Sequence, residues 1–179
     1  HKHSSNIGYD RNVNSLFDIS LGEYVWILAA DDIIQQNYLE YVVSILKKNA
    51  NIVLAYTGGI NENIKMQADY AITNSGDDFF HYTSFQNGGV SSNIIKRDKW
   101  SVGRPRRYID SDWVHFGVVV ELASKYDGVV FKDFIMIDNP KSKNMEKTWG
   151  QNGDSIYYGL SLVNIFKNMP SLGYSKQTC

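Results

Sequence analysis

The sequence has almost no cysteine, since the single one among 179 residues is Cys179. This excludes a disulfide framework or a cysteine-rich metal site within the chain and suggests a reducing, cytoplasmic environment. The formal net charge is only −1, and the only dense basic stretch holds Arg104, Arg106 and Arg107. We therefore expect no nucleic-acid partner. No apolar run is long enough to cross a bilayer, although peripheral contact with the inner face of a membrane is compatible with the sequence.

The sequence does have enough apolar residues for a core, and it is rich in aromatic ones. Its hydrophobic fraction of 43% and charged fraction of 21% are ordinary for a globular domain. The aromatic fraction of 13%, with twelve tyrosines and four tryptophans, is high. Packing is the usual cause of such an excess, and stacking against sugars or bases is the alternative.

An apolar, β-prone run at residues 23–32 organises the rest of the chain, and it ends in Asp31 and Asp32. It predicts a buried strand that delivers carboxylates at its C-terminal end, where ligands bind in open α/β sheets. Adjacent strand side chains point to opposite sides, so one aspartate would bind a cation and the other would fix the loop or a ligand hydroxyl. Alternatively, the two aspartates form a turn that only caps the next helix.

Around this run, helices and strands alternate over the first 57 residues, which predicts an α/β sheet flanked by helices. The predicted elements are a helix at 11–21 between an Asp10 N-cap and Gly22, the strand at 23–32, a helix at 38–48 with a capping box of Asn37 and Glu40, and a strand at 52–56.

The second part of the chain is less regular. Gly88 and Gly89 are either a ligand-facing turn or a plain one. Residues 138–153 are polar and predict a mobile loop, and the tail after Pro170 is expected to be disordered. The further elements are a strand at 70–73, a strand or short helix at 90–97, a helix from 113 to about 126, strands at 129–131 and 134–137, and a helix at 155–168.

Residues 110–113 place two carboxylates at the start of a predicted helix. The helix dipole stabilises an ionised carboxylate there, which suits both simple capping and a catalytic role for Asp110 or Asp112. His115, one turn into the helix, would face the same cleft as this helix start or would belong to the core or the surface. The nearby arginines at 104–107 would either meet a phosphate-rich ligand or form a solvated charge run.

Three segments resemble the inverting family 2 glycosyltransferases: NIGYDRNV at residues 6–13, GEYVWIL at 22–28 and DDI at 31–33. Within that family the sequence is similar to the branch of abequosyltransferase-like and rhamnosyltransferase-like enzymes of bacterial surface polysaccharides. The resemblance covers residues 6–40 and, more weakly, 88–128. It implies a GT-A type mixed α/β sheet flanked by helices, here lacking the first βαβ unit, so we expect an N-terminally truncated domain.

The resemblance implies transfer of a sugar from a nucleotide-diphosphate donor to a hydroxyl of a glycan or lipid-linked acceptor. A divalent cation, Mg²⁺ or Mn²⁺, would neutralise charge on the leaving diphosphate. Ala29 and Ala30 stand where many relatives carry a further Asp or Ser, which would weaken the cation site. The implied site residues are Asp31 and Asp32 for the metal, Asn6, Arg11, Asn12 and Asp31 near the nucleotide, and Asp112 as general base.

The resemblance also implies one partial domain. Residues 1–57 would end the nucleotide- and metal-binding half, 58–137 would form the acceptor half, and 138–179 would add a loop and the C-terminal helix. The alternative is a non-catalytic carbohydrate-binding or assembly domain on the same fold, in which exposed aromatics such as Tyr82 or Trp149 bind sugar. A transferase requires Asp32 and Asp112 to line one cleft.

Overall fold

The computed structural model describes residues 3–30, 32–133, 135–138 and 154–179. Phe134, Asp31 and the predicted loop with Met145 and Trp149 lie outside the described residues. The helices are α1 (Tyr9–Ile19), α2 (Tyr38–Lys48), α3 (Gly76–Thr83), α4 (Val114–Ala123) and α5 (Asp154–Asn168), and the strands are β1 (Tyr24–Trp26), β2 (Asp32–Ile34), β3 (Leu54–Tyr56), β4 (Tyr70–Thr73), β5 (Asn93–Lys96), β6 (Gly128–Phe131) and β7 (Met136–Asp138).

The main sheet has five strands in the order β1-β5-β3-β6-β4. Strands β3 and β6 are parallel, with Leu54 opposite Gly128, whereas β5 is antiparallel to both β1 and β3, and β4 is antiparallel to β6. A separate antiparallel ribbon pairs β2 with β7 and sets Asp32 opposite Asp138. This mixed sheet flanked by helices confirms the expected α/β class and is the arrangement expected of the GT-A type.

Side chains that alternate along the central strands pack into two separate cores. In β3, Leu54 and Tyr56 pack with helices α1, α3, α4 and α5, while Ala55 packs on the opposite face with α2. In β6, Val130 belongs to the first core, and Val129 and Phe131 belong to the second. A strand covered on both faces needs an apolar residue at every position, which explains the continuous apolar runs of β3 and β6.

Helix α4 lies inside the larger core, and all ten of its residues are buried. Glu121 of this helix is fully buried and accepts hydrogen bonds from Arg104 at 2.5–2.6 Å and from Tyr108 at 3.0 Å, with Arg107 and Lys125 also near it. Two of the three arginines in the basic stretch therefore neutralise a core carboxylate. This contact replaces both sequence readings, the phosphate ligand and the solvated charge run.

The strand predicted at residues 23–32 is wrong in its extent. Only Tyr24–Trp26 pairs as strand, and its ladder with β5 runs from Tyr24 opposite Lys96 to Trp26 opposite Ile94. The chain then turns, with the Asp32 N–H donating to the Ala29 carbonyl at 3.2 Å, and Asp32 begins strand β2. Asp32 therefore does not cap the next helix, which instead begins after Asn37.

The predicted helix caps are also wrong, although the helices themselves are confirmed. Helix α1 begins after Gly8, so Asp10 lies in its first turn, and it ends at Ser20 rather than at Gly22. Asn37 precedes α2 in a left-handed conformation and makes no side-chain cap, so the capping box with Glu40 does not form. Cap signals are short and frequent, whereas the 3.6-residue apolar period extends over a whole helix and is harder to mistake.

The tail after Pro170 is ordered, contrary to the prediction. Residues Met169–Leu172 form a 3₁₀ turn, and the buried Tyr174 donates its hydroxyl to the Val120 carbonyl at 2.7 Å. One large aromatic side chain thus anchors the C-terminal segment to α4. Among the helices of the described ranges, none is both long and apolar enough to cross a membrane.

Candidate functional site: a clamp on the segment that carries Asp112

Three consecutive side chains at the start of α1 contact the segment 110–115, about one hundred residues later in the chain. Tyr9 contacts His115, Asp10 contacts the backbone at 111–114, and Arg11 contacts Asp110. We call these three residues the α1 clamp. They hold the residues that lead into α4, and this stretch includes the proposed base, Asp112.

Asp10 supplies the cap of α4. Its carboxylate is buried, and Oδ2 accepts the backbone N–H groups of Ser111 and Asp112, both at 2.8 Å, while Oδ1 accepts that of Val114 at 3.1 Å. The first N–H groups of a helix have no partner within the helix, and a carboxylate near them also meets the positive end of the helix dipole. The sequence left capping by residues 110–112 open beside a catalytic role, and the carboxylate that caps the helix comes from α1 instead.

Arg11 holds the outer edge of the same segment. Its guanidinium forms a two-pronged pair with the Asp110 carboxylate, with Nη2 to Oδ2 at 2.9 Å, and this hydrogen bonding lowers the pKa of Asp110. Both side chains are exposed, so water screens the pair and it adds little stability. Asp110 and Asp112 both have left-handed backbones, with φ of 69° and 63°. Such a conformation persists only when its surroundings hold it, as the clamp does.

Tyr9 and His115 form the inner edge of the clamp. The Tyr9 hydroxyl lies 3.0 Å from Nδ1 of His115, and Nε2 lies 2.9 Å from the Gly88 carbonyl. A carbonyl only accepts, so Nε2 carries the proton and Nδ1 accepts from Tyr9. Burial lowers the pKa of His115 and keeps the ring neutral. His115 is buried and both of its ring nitrogens have hydrogen-bond partners, so it is a core histidine. The sequence had left open whether it faces the cleft, the core or the surface.

The Tyr9 hydroxyl has a raised pKa. Burial raises its pKa first, and the negative charges of Asp10 and Asp112 raise it further. Asp112 is half-buried and has further contacts of its own. The charge of Asp112 therefore contributes, after burial and Asp10, to the raised pKa of Tyr9.

The segment 86–92 links this region to the loop that follows β1. Ser91 accepts the Ala29 N–H through Oγ at 2.8 Å and the Trp26 indole N–H through its carbonyl at 2.7 Å. At the other end of the segment, Gly88 accepts from His115, and a Cβ on Gly88 would lie 3.0 Å from the Trp113 ring. The two sequence segments that carry the candidate acids thus pack against one connector, and Gly88 is a structural turn within it.

Asp32 is the described half of the predicted metal pair, and it is half-buried at the start of β2. Within the described ranges, no three His, Cys, Asp or Glu residues are grouped as a metal cage. Mg²⁺ is commonly held by one or two carboxylates together with substrate phosphates and water. Asp32 is a carboxylate of the kind that such a shared site uses.

The remaining predicted site residues lie at the start of α1. The side chain of Asn6 accepts the Gly8 N–H at 2.9 Å and so shapes the turn before the helix, and Asn12 is exposed on its first turns. Sequence reasoning missed Tyr9 and took Asp10 for an N-cap. No local pattern identifies their partners, because these lie 101 to 106 positions away along the chain.

Comparison with known proteins gives a family match. The family model described as glycosyl transferase family 2 matches residues 1–94 of the 179. This match includes the clamp residues, the strand β1 with the aspartates that follow it, and the segment 86–92. No curated protein matches the chain. More than half of the sequence fits the family model, and the chain therefore belongs to glycosyl transferase family 2.

Proposed function

We propose that this glycosyltransferase moves a sugar, with inversion, from a nucleotide-diphosphate donor to a hydroxyl of a glycan or lipid-linked acceptor. The resemblance to abequosyltransferase-like and rhamnosyltransferase-like enzymes supports a role in bacterial surface polysaccharide synthesis, in the cytoplasm. The observation that carries the proposal is the α1 clamp. The clamp fixes the backbone of the segment that carries Asp112. This segment contacts residues 86–92, which in turn contact the loop between β1 and Asp32.

Asp112 acts as the general base in this proposal. Its carboxylate takes the proton of the acceptor hydroxyl as the hydroxyl oxygen attacks the anomeric carbon. The bond to the diphosphate breaks on the opposite side of the sugar, and the leaving group departs with the bonding electrons. One base is enough for such an inverting displacement. Asp10 accepts the Asp112 N–H at 2.8 Å, and this fixed backbone supports the proposed role of Asp112.

Asp32, together with Asp31, is proposed to hold Mg²⁺ or Mn²⁺ on the donor diphosphate. When bound, such an ion neutralises the charge that develops on the leaving group. Asn6, Arg11 and Asn12 are proposed to lie near the nucleotide, since they share the first turns of α1 and the turn before it.

Calorimetric titration of UDP, GDP and dTDP, with and without Mn²⁺, tests this site. We expect one nucleotide to bind in an Mn²⁺-dependent manner, Asp32→Ala to lose this binding, and Asp112→Asn to keep it, because the base does not contact the diphosphate. Asp18→Asn, an exposed carboxylate at the far end of α1, is the matched control. Nucleotide binding that is unchanged without Mn²⁺ and in Asp32→Ala would contradict the metal role of Asp32. Absence of binding by all three nucleotides would favour the carbohydrate-binding alternative.

A further inference from the structure

A groove of about 400 Å³ lies beside the start of α2, away from the α1 clamp. One wall is aromatic and consists of Tyr38, Tyr41 and Phe131. The other wall is polar and includes Asn37, Asp69 and Asp133. None of the roles proposed above uses these side chains.

The rings of the aromatic wall are locked against one another. Tyr41 meets Phe131 at a centroid distance of 5.7 Å and 67°, and it meets Tyr38 at 6.2 Å and 87°. Phe131 is buried, whereas both tyrosines are half-exposed to the groove. Edge-to-face contacts are a favoured arrangement of aromatic rings, so the three rings form one continuous surface. Such a ring surface suits the apolar C–H face of a pyranose.

The polar wall carries negative charge next to these rings. Asp69 and Asp133 are exposed, and together with burial they raise the pKa of Tyr41, so both carboxylates act on that ring. The Tyr38 hydroxyl lies 3.5 Å from Oδ2 of Asp133. This is longer than a good O–H···O bond of about 2.5–3.0 Å, so the carboxylate retains capacity to accept from a ligand hydroxyl.

The groove lies at the edge of the sheet where ligands bind. Phe131 is the last residue of β6 and Asp133 follows it. Asp69 precedes β4, and its carbonyl accepts the Lys132 N–H at 2.9 Å. Asn37 is five residues after Asp32, and β2 connects the two. Five residues span at most about 18 Å, so one extended molecule can reach from Asp32 to the groove.

We infer that this groove binds an uncharged saccharide, as a subsite for the part of the acceptor glycan remote from the reacting hydroxyl. The choice of a glycan rests on the proposed function. The choice of an uncharged one rests on the groove itself, because its two carboxylates repel phosphates and uronic acids but accept hydrogen bonds from vicinal hydroxyls. The donor diphosphate is excluded from this groove on the same ground.

A glycan array, probed with the full chain and without nucleotide or metal, tests this inference. The array carries neutral oligosaccharides of hexoses and 6-deoxyhexoses together with matched ones that contain uronic acids. We expect a neutral oligosaccharide to bind, and calorimetry with that compound to show at least about tenfold weaker binding for Tyr41→Ala and Asp133→Asn. Asp133 is exposed, so its variant folds even if Tyr41→Ala does not. Asp18→Asn is the matched control and should bind normally.

The outcomes separate this inference from the proposed function. Binding that Asp112→Asn keeps and Asp133→Asn loses supports the groove, whatever the nucleotide titration shows. No array binding, preference for uronic acids, or equal binding by Tyr41→Ala, Asp133→Asn and wild type would overturn it. Each of those results leaves metal-dependent nucleotide binding, and so the transferase site, to be judged on its own titration.

Discussion

Removing the Asp10 carboxylate is expected to destabilise the whole domain. In Asp10→Ala, the N–H groups of Ser111, Asp112 and Val114 lose their acceptor. The bond to Val114 is buried, so its loss carries the cost of an unsatisfied donor, about 1–3 kcal/mol. The other two N–H groups are part-buried and can regain water, as at an ordinary N-cap that costs about 0.5–2 kcal/mol. We therefore expect a loss of about 2–4 kcal/mol in the free energy of unfolding.

Thermal unfolding followed by circular dichroism measures this loss. For a chain of this size, 1 kcal/mol corresponds to about 2–4 °C, so the melting temperature should fall by roughly 5–15 °C. Amide hydrogen exchange gives the residue-level check. The amides of Ser111, Asp112 and Val114 should exchange faster in Asp10→Ala, relative to the rest of α4, because the cap is local to them.

Two variants define the control. Asp18→Ala removes an exposed carboxylate from the same helix and should stay within about 0.5 kcal/mol of wild type. Asp10→Asn should fall between wild type and Asp10→Ala, because the amide oxygen can face Val114 or the pair at 111–112, but not both. The capping argument is refuted if Asp10→Ala has the same melting temperature as Asp18→Ala and the three amides keep their exchange rates.

Three further predictions follow from buried groups. For Glu121, burial raises the pKa but the arginine and tyrosine hydrogen bonds outweigh it, so the pKa is lowered from 4.5. The stabilisation from ionised Glu121 is therefore present above about pH 4.5 and is lost as the pH falls through the lower pKa of the folded state. Glu121→Gln should cost about 2 kcal/mol in the free energy of unfolding at pH 7. In urea titrations, this variant should also lose less stability than wild type as the pH is lowered. His115 is held neutral with its pKa below 6.5, so the unfolded chain binds the extra proton and stability should fall as the pH drops below about 6.5. His115→Gln should remove that slope, and an unchanged slope would mean that another group titrates. Gly117→Ala would put a Cβ 2.4 Å from the Tyr108 ring and should cost about 1–3 kcal/mol. Gly159→Ala meets nothing within 4 Å and should stabilise helix α5 by about 0.5–1 kcal/mol; similar melting temperatures for these two variants would contradict the packing argument.

Helix and strand positions could be predicted from the sequence because their signals are local. The apolar stripe predicts a helix at 38–48, and the structure has α2 at Tyr38–Lys48. The prediction of a strand at 70–73 is likewise confirmed by β4. The run at 23–32 shows the limit of this reasoning. Its composition is β-prone throughout, but a strand extends only as far as a partner pairs with it, and the pairing with β5 ends at Trp26 opposite Ile94.

The candidate site could be predicted only in part. The order of the motifs was enough to nominate Asp32 and Asp112. The family model covers Asp32, whereas Asp112 lies beyond the matched residues 1–94. The sequence could not show that Asp10 caps α4, that Arg104 and Arg107 neutralise Glu121, or that His115 is a core residue. Each of these roles depends on a partner many positions away, for example 101 positions between Asp10 and Ser111.

The sequence by itself thus determined the class of fold, the order of most helices and strands, and the family, since periodicity and motif order are properties of neighbouring residues. The tertiary structure decided which polar groups are buried and what satisfies them. A buried N–H or carboxylate must find a partner wherever the fold brings one. For the start of α4 that partner is Asp10, and for Glu121 it is the pair Arg104 and Arg107, all set in place by the packing of α1 and the 3₁₀ turns against α4.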